Sequence, residues 1–473
     1  MSDRMTLESL RGRRITLLGL GSHGGGVGVA RFLATHGAFV TVTDAKPADA
    51  LTESVAALDG LPIRFVLGGH DESDFTRAGA DMVVRNPAVP RTAAMLERAR
   101  QNGVPVEMEM SLLFKLAPGP LIGVSGTKGK TTTTTLLGLM LASWNPETRI
   151  AGNMGIPALE LLDLIDENTP VVLEISSWQI EGLDEHQLSP HIAVLTNVSP
   201  DHLNTYSGYM EYAEIKRRLA AYQGPNDVLV FNADDPEFRS LSESASGRVI
   251  PFGHSVAGKP GMTVDGRELR WEWDDQSATI ALPDVAFNLK GDYQAMNVAA
   301  AAAAALAYGA PFEAVEAGIT AFEGVPNRGE LIAEIDGVMY VNDTAATAPA
   351  AAIAALERFA EQRVHLISGG ANKALDLAPL ADAIKRFVSS LTLIDGSATP
   401  ALLELIGDAG FPVHGPYRDM ETAVEAARSD AGPGDVVLLS PGVASFGVFT
   451  DEFDRGDQFR HAVEQLKNRT ADA

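Results

Sequence analysis

Short apolar runs recur along the chain, each closing on glycine, serine, asparagine or aspartate, and most of the stretches between them carry helical spacing. That alternation predicts an α/β protein with mainly parallel sheets. The first run, Arg14 to Leu20, leads into Gly19, Gly21 and Gly24 in GxGxxG register. A helical stretch follows, then a second strand, Ala38 to Thr43, ending at Asp44. This is the opening of a doubly wound nucleotide-binding fold, with the acid about 20 residues beyond the glycines, where it can meet a ribose or a neighbouring group. A further strand, Met82 to Arg85, runs into the turn Asn86-Pro87-Ala88-Val89-Pro90, and Pro118-Gly119-Pro120 reads as a linker.

A second segment opens on the apolar residues Leu121, Ile122 and Val124 and continues through strands Val171 to Ile175, Ile192 to Asn197 and Val228 to Asn232. Between Gly261 and Pro283 the pattern changes to alternation about an Asp-Gly turn, which predicts a β-hairpin, and an alanine-rich helix follows Asn297. From about Gly324 the strand and helix rhythm resumes with Val338 to Val341, Val364 to Ile367, Leu391 to Ile394 and Val436 to Leu439. Each ends in small, polar or charged residues, the edge at which open α/β sheets bind ligands. The expected architecture is therefore three domains: a Rossmann-like domain over 1–118, a central phosphate-loop α/β domain over 119–323, and a doubly wound α/β domain over 324–473.

The strongest chemical signal lies in Gly123 to Thr133, GVSGTKGKTTT. A turn without bulky side chains, feeding a helix, can aim backbone N–H groups and the positive helix end at a phosphate. Lys130 reaches the terminal phosphates and the Thr131 hydroxyl is suited to magnesium. The loop is a variant, because only Thr127 and Lys128 separate Gly126 from Gly129. Glu174 closes an apolar strand in LEISSWQIE, where an acid can project toward a metal, and Asp201 with His202 forms a second polar cluster in NVSPDH. Lys216 lies on an amphipathic helix and by itself reads as a surface lysine.

Composition narrows the function. A formal net charge of -25 argues against nonspecific binding to nucleic acid or anionic membranes. With no cysteine there is no disulfide framework, thiolate metal site or cysteine nucleophile. The start, MSDRMTLESLRGRR, lacks an apolar signal core and no run of 18 apolar residues occurs, so the expected location is the cytoplasm.

In order and spacing, GTKGKTT, AGNMG, LEISSWQIE, NVSPDH, YAEIKRR and NADD resemble the bacterial Mur ligases, with SSWQ most similar to the glutamate-adding branch. The resemblance spans nearly the whole chain. It implies ATP-dependent amide synthesis: a substrate carboxylate attacks the γ-phosphate, and glutamate's amine displaces phosphate from the acyl-phosphate through a tetrahedral intermediate. The implied substrates are UDP-N-acetylmuramoyl-L-alanine and D-glutamate, with a monomeric enzyme serving peptidoglycan precursor synthesis.

By the same resemblance Gly126, Thr127, Lys128, Gly129, Lys130, Thr131 and Thr132 serve ATP, together with Asn297, Arg328 and Asp343. Thr131, Glu174, His202 and a carbamylated Lys216 hold two magnesium ions, and Lys130, Glu174, His202 and Lys216 are the catalytic set. Gly21, Ser22, His23, Asp44, Asn86, Asn153 and His202 meet the UDP substrate, so the first glycine motif does not imply a nicotinamide cofactor. Thr347, Lys373 and Ser445 meet glutamate.

Three departures fall in the third segment. Ala345 stands where the family commonly has lysine, Asn327-Arg328 replaces a His-Arg pair, and Glu452 with Phe453 shifts an aromatic. They leave open a ligase adding L-glutamate to the same acceptor. A folate-polyglutamate-type ligase is a further alternative, against which the nucleotide-fold first domain and SSWQ count.

Overall fold

The computed structural model describes residues 5–21, 25–152, 157–199, 206, 208–283, 292–372 and 375–471. Among them are three sheets. The first contains β1 (Arg14–Leu18), β2 (Phe39–Asp44), β3 (Ile63–Leu67), β4 (Met82–Arg85) and β5 (Val106–Glu107), in the order β3-β2-β1-β4-β5. All its pairs are parallel. Its strand order reverses between β1 and β4, so the Gly19–Gly21 turn and the Asn86 turn leave the sheet at adjacent carboxyl ends.

The second sheet is built from β6 (Leu121–Ser125), β7 (Arg149–Gly152), β8 (Val171–Glu174), β9 (Ile192–Leu195), β10 (Val228–Asn232), β11 (Arg248–Gly253), β12 (Gly261–Asp265), β13 (Glu268–Trp273) and β14 (Gln276–Ala281). Its order is β14-β13-β12-β11-β10-β9-β6-β8-β7. The expected hairpin is a three-stranded meander that extends this sheet. Its second turn escaped the sequence because Asp274 and Asp275, with φ of 49° and 62°, do the work usually given to asparagine and glycine. The alanine-rich helix begins earlier than expected, at Asp292, so Asn297 sits inside the helix Asp292–Tyr308. Small side chains let this helix pack close to the sheet, and Ala299 through Ala305 are fully buried.

The third sheet has β15 (Glu330–Ile335), β16 (Val338–Asn342), β17 (Val364–Gly369), β18 (Val388–Ile394), β19 (Val413–Tyr417) and β20 (Val436–Leu439), ordered β15-β16-β20-β17-β18-β19. The apolar-run pattern missed its two edges. β15 is half-exposed and pairs antiparallel with β16, while β19 carries Gly415-Pro416. Edge strands bury one face less fully, so their runs are diluted with polar residues.

The described residues divide into two compact units, one running to Phe322 and the other from Glu323 onward. One hydrophobic core runs from Leu10 to Phe238 and so joins the first two sheets. The Pro118–Pro120 stretch is accordingly a packed connection: a Cβ on Gly119 would stand 2.7 Å from the Glu167 carbonyl oxygen.

Candidate active site

The phosphate loop leaves β6 at Ser125 and enters the helix Lys130–Ala142 through Gly129, whose φ of 81° suits a residue without Cβ. The helix presents its first amides there, which lack intrahelical acceptors by geometry. The loop is held by the segment after β9. Thr127 N–H donates to the Asn197 carbonyl at 2.8 Å, Lys128 N–H donates to Asn197 Oδ1 at 2.9 Å, and Asn197 Nδ2 returns a bond to the Lys128 carbonyl at 2.9 Å. Two loop amides are thus committed to Asn197, leaving Gly129 and the helix start to face an anion. Lys130 Nζ rests on the carbonyl oxygens of Thr127 and Gly126 at 2.9 and 3.1 Å. Asn297 lies directly beside the loop, since a Cβ on Gly129 would come within 2.2 Å of Asn297 Oδ1.

NADD has a local role that its spacing did not reveal. Asn232 Nδ2 donates to the Thr196 carbonyl at 2.9 Å, and Asp235 Oδ2 accepts from Val198 N–H at 2.6 Å. The motif therefore holds the segment that holds the phosphate loop.

Glu174 ends β8 beside Val124 of β6 and is 2% exposed. SSWQ is a helix cap: Gln179 N–H donates to Ser176 Oγ at 3.3 Å, and Ser176 N–H donates to Gln179 Oε1 at 2.9 Å. This capping box starts the helix Ser177–Asp184 immediately behind Glu174 and so fixes the strand end.

The surface reading of Lys216 is corrected. On the helix Tyr209–Arg218 the buried positions are Tyr212, Ala213, Ile215 and Lys216, and Lys216 is 1% exposed. Periodicity gave the face, but a lysine on it looks polar to any hydropathy count. Its Nζ donates to Ser125 Oγ at 3.2 Å and stands 5.3 Å from the Tyr212 ring centroid. Ser125 Oγ in turn donates to the Ile175 carbonyl at 2.6 Å, next to Glu174. Ser125 was not singled out in the sequence; its position at a strand end just before Gly126 is the signal that could have found it. A lysine buried directly behind a phosphate loop stands where its charge, or its conversion to another group, bears on whatever the loop binds.

At the first sheet Asp44 faces its own glycine turn. Its Oδ2 accepts from Leu20 and Gly21 N–H at 2.9 and 3.1 Å, and Oδ1 accepts from Lys46 N–H at 2.9 Å. The neighbouring group expected for this acid is its own glycine turn. Asn86 lies against the same turn, with its Cβ 3.0 Å from where a Cβ on Gly19 would be. Ser22, His23, Asn153, Asp201, His202 and Lys373 lie outside the described residues.

In the second unit Asp343 Oδ1 accepts from Gly329 N–H at 3.0 Å and Oδ2 accepts from Ser440 Oγ at 2.7 Å. Burial pushes its carboxyl up to about 6, against the pull of those bonds and of Arg328 and Arg358. Arg328 itself is exposed. Of the substituted positions, Asn327 is buried and Ala345 partly so, and both join one hydrogen-bonded knot, whereas Phe453 is exposed. Asn327 Oδ1 accepts from Asn342 Nδ2 at 2.9 Å, and the Ala345 N–H donates to the Asn327 carbonyl at 3.0 Å. Arg455, fully buried, donates through Nε and Nη2 to Thr344 Oγ1 and O, both at 2.9 Å. Gly456 leaves room for Asn327, whose Oδ1 would be 2.3 Å from a Cβ there. Ser445 is 2% exposed, and its Oγ has no hydrogen-bond partner among the described residues. Thr347 is half-buried just past this knot.

A Rossmann-like sheet, a phosphate-loop sheet with a buried acid and lysine, and a third α/β sheet are the layout of a phosphate-loop α/β enzyme. The chain belongs to the Mur ligase family of ATP-dependent amide-bond ligases: it matches the Mur ligase MurD-like N-terminal domain over residues 13–107, the Mur ligase middle domain over 124–305 and the Mur ligase glutamate ligase domain over 327–443. It is 48% identical over 471 residues to the UDP-N-acetylmuramoylalanine–D-glutamate ligase of Roseiflexus sp. (strain RS-1), covering 97% of this chain and 99% of that one. It is 38% identical over 452 residues to the ligase of the same name from Symbiobacterium thermophilum, covering 93% and 97%. Among solved structures it resembles UDP-N-acetylmuramate-alanine ligase from Thermotoga maritima, with a TM-score of 0.57 at 18% identity over 96% of this chain and 100% of that one. That likeness speaks to the fold.

Proposed function

We propose that this chain joins D-glutamate to the L-alanine carboxyl of UDP-N-acetylmuramoyl-L-alanine, at the expense of ATP, in the cytoplasmic synthesis of peptidoglycan precursors. The choice of glutamate and acceptor is supported by the names of the full-length relatives. The observation that carries the ligase chemistry is the buried Lys216, bonded to Ser125 one residue before the phosphate loop. The acceptor carboxylate attacks the γ-phosphate of ATP, ADP leaves, and the glutamate amine then displaces phosphate from the acyl-phosphate. A carboxylate alone is a poor acyl donor, and the exchange replaces an oxide with phosphate as leaving group.

In this reading Gly129, the helix start and Lys130 hold the ATP phosphates, with Asn297, Arg328 and Asp343 serving the rest of the nucleotide. Thr131, Glu174, His202 and Lys216 are the magnesium set; Glu174 and Thr131 supply the hard oxygens such an ion prefers. Bound there, magnesium supplies positive charge to the transferred phosphoryl group. Lys216 joins the set as a carbamate, formed when its neutral amine adds to CO2 with loss of a proton, which turns a buried ammonium into an anionic oxygen ligand. Gly21, Asp44, Asn86 and Asn153 serve the acceptor, and Thr347, Lys373 and Ser445 the glutamate. The three proposed domains are 1–118, 119–323 and 324–473, in a monomer. No helix of the described residues is long and apolar enough to cross a membrane.

The test is phosphate release from ATP with UDP-N-acetylmuramoyl-L-alanine and D-glutamate, L-glutamate or no amino acid, with product mass measured. Turnover with D-glutamate alone is expected. Turnover with L-glutamate alone would make the Asn327 and Ala345 substitutions part of a changed selectivity and overturn the stereochemical reading. For Lys216, removal of CO2 and bicarbonate should depress turnover reversibly, and Lys216→Arg, which keeps a cation but cannot be carbamylated, should lower kcat at least 100-fold; near-normal activity would exclude the carbamate.

A further inference from the structure

Arg85 is the last residue of β4 and is 1% exposed, although it is a charged side chain that proteins almost never bury without full pairing. Its Nη1 donates to the Val89 carbonyl at 2.8 Å, which pulls the Asn86–Val89 turn back over its own strand. The turn is otherwise closed by Val89 N–H donating to the Asn86 carbonyl at 2.9 Å and packs on Gly19, where a Cβ would meet Val89 Cγ2 at 2.9 Å. On its other side Arg85 Nη2 faces Glu181 Oε2 at 3.7 Å. That is close enough for attraction and too far for a hydrogen bond. Nε and Nη2 have no hydrogen-bond partner among the described residues.

Glu181 lies on the helix Ser177–Asp184, the one capped directly behind Glu174, and its Oε1 accepts from Tyr206 OH at 3.1 Å. Tyr206 follows the NVSPDH motif by a few residues. A chain of buried polar groups therefore runs from the Asn86–Val89 turn of the first sheet to the helix behind Glu174 and on to Tyr206. A guanidinium is a rigid fork, and an unfilled prong in a dry site is costly. A shift of the turn of about 1 Å would bring Nη2 into charge-assisted hydrogen-bond range of Glu181. Any ligand that binds the closer arrangement better will favour it.

We propose that Arg85 is a positioning residue for the acceptor substrate, fixing the Asn86–Val89 turn against Glu181 and so setting the distance between the bound UDP sugar and the centre that activates its carboxylate. This rests on the acceptor reading given above. It concerns the spacing of two sheets, and Arg85 itself touches neither substrate nor nucleotide.

The experiment measures KM for UDP-N-acetylmuramoyl-L-alanine, KM for ATP, kcat and Tm in Arg85→Met, Arg85→Lys, Glu181→Gln, Tyr206→Phe and the Arg85→Met/Glu181→Gln double variant. The expected result is a rise of at least tenfold in KM for the acceptor in Arg85→Met and Glu181→Gln, with KM for ATP within twofold. The double variant should be no worse than the worse single one. Arg85→Lys should recover Tm without recovering KM, because a point ammonium on a flexible stem does not reproduce the fixed fork that holds the turn at a set distance from Glu181. A role confined to stability would lower Tm and the active fraction while leaving KM in place, and that outcome overturns the proposal. So do equal rises in both KM values, or independent, multiplicative effects in the double variant. If Arg85→Met does not fold, Arg85→Lys and Tyr206→Phe decide by the same KM criterion. No acceptor-dependent turnover by the unaltered chain overturns the functional reading and this inference together, whereas normal turnover with unmoved KM in the variants overturns this inference alone.

Discussion

At the scale of single residues, the chain puts ionisable groups where solvent cannot serve them, and the consequences are measurable. Glu109 begins the helix Glu109–Leu116 and its Oε1 accepts from Ala158 N–H at 2.6 Å and Leu159 N–H at 3.3 Å, joining the first two sheets. Burial pushes its carboxyl up to about 7 from 4.5; the two amides pull the other way and the charge of Glu160 adds to the rise. A folded-state value above the unfolded one favours the protonated form in the native protein. Its stabilising contribution is therefore full below about pH 4.5 and is lost as pH rises through about 7. The integrated effect is at most roughly 3 kcal/mol. Glu109→Gln keeps an acceptor for both amides and cannot ionise. It should flatten the fall in urea midpoint between pH 5 and 8 and leave the variant more stable than the unaltered chain at pH 8. Parallel pH profiles for the two proteins would show that Glu109 does not titrate in this window. Lys216 teaches the complementary lesson: nothing in a sequence marks a lysine as buried, because the helix period tells which residues share a face and not which face the fold covers.

Elements were legible in proportion to how fully they are buried. The parallel strands β4, β6, β8, β10 and β20, covered on both faces, read as apolar runs, and their polar ends were recognisable as a ligand edge. β15 and β19 at the rims, and the second turn of the meander, were not legible, since exposure thins the apolar run and tertiary context supplied the turn conformation. The phosphate loop was legible as a motif, whereas its support by Asn197, Asn232 and Asp235 depends on side-chain-to-backbone bonds between residues 69, 36 and 37 apart. That support makes the loop intolerant of volume. Gly129→Ala places a Cβ 2.2 Å from Asn297 Oδ1 on a residue with φ of 81°, so the loop or the Asn297 side chain must shift. Gly258→Ala is the matching control, with φ of 73° and open space around the new Cβ. The expected outcome is a loss of at least 100-fold in kcat/KM for ATP in the first variant and a change under twofold in the second, with unaltered circular dichroism in both. A change under twofold in Gly129→Ala as well would contradict the intolerance of the loop.

For the whole molecule the cores are the relevant units. One core joins the sheets of β1–β5 and β6–β14, and separate clusters around Leu366 and Val437 fill the third sheet. A shared core couples unfolding, because opening one sheet exposes apolar surface of the other. The first two sheets should therefore melt together and the third should melt independently, giving two calorimetric transitions that match the division at Phe322 and Glu323. Ligands then report where they bind, since a species that binds only the native form of a unit stabilises that unit by mass action. Gly21, Asp44, Asn86 and Asn153, proposed to hold the UDP-linked acceptor, all precede the division. UDP-N-acetylmuramoyl-L-alanine at 100 times its Kd should stabilise the first unit by about 2.7 kcal/mol and leave the second transition in place. Thr347 and Ser445 fall after the division, so D-glutamate added at the same multiple of its Kd should move the second transition. A shift of the second transition by the acceptor alone would contradict the assignment of those residues, and a single transition in the free protein would contradict the independence of the third sheet.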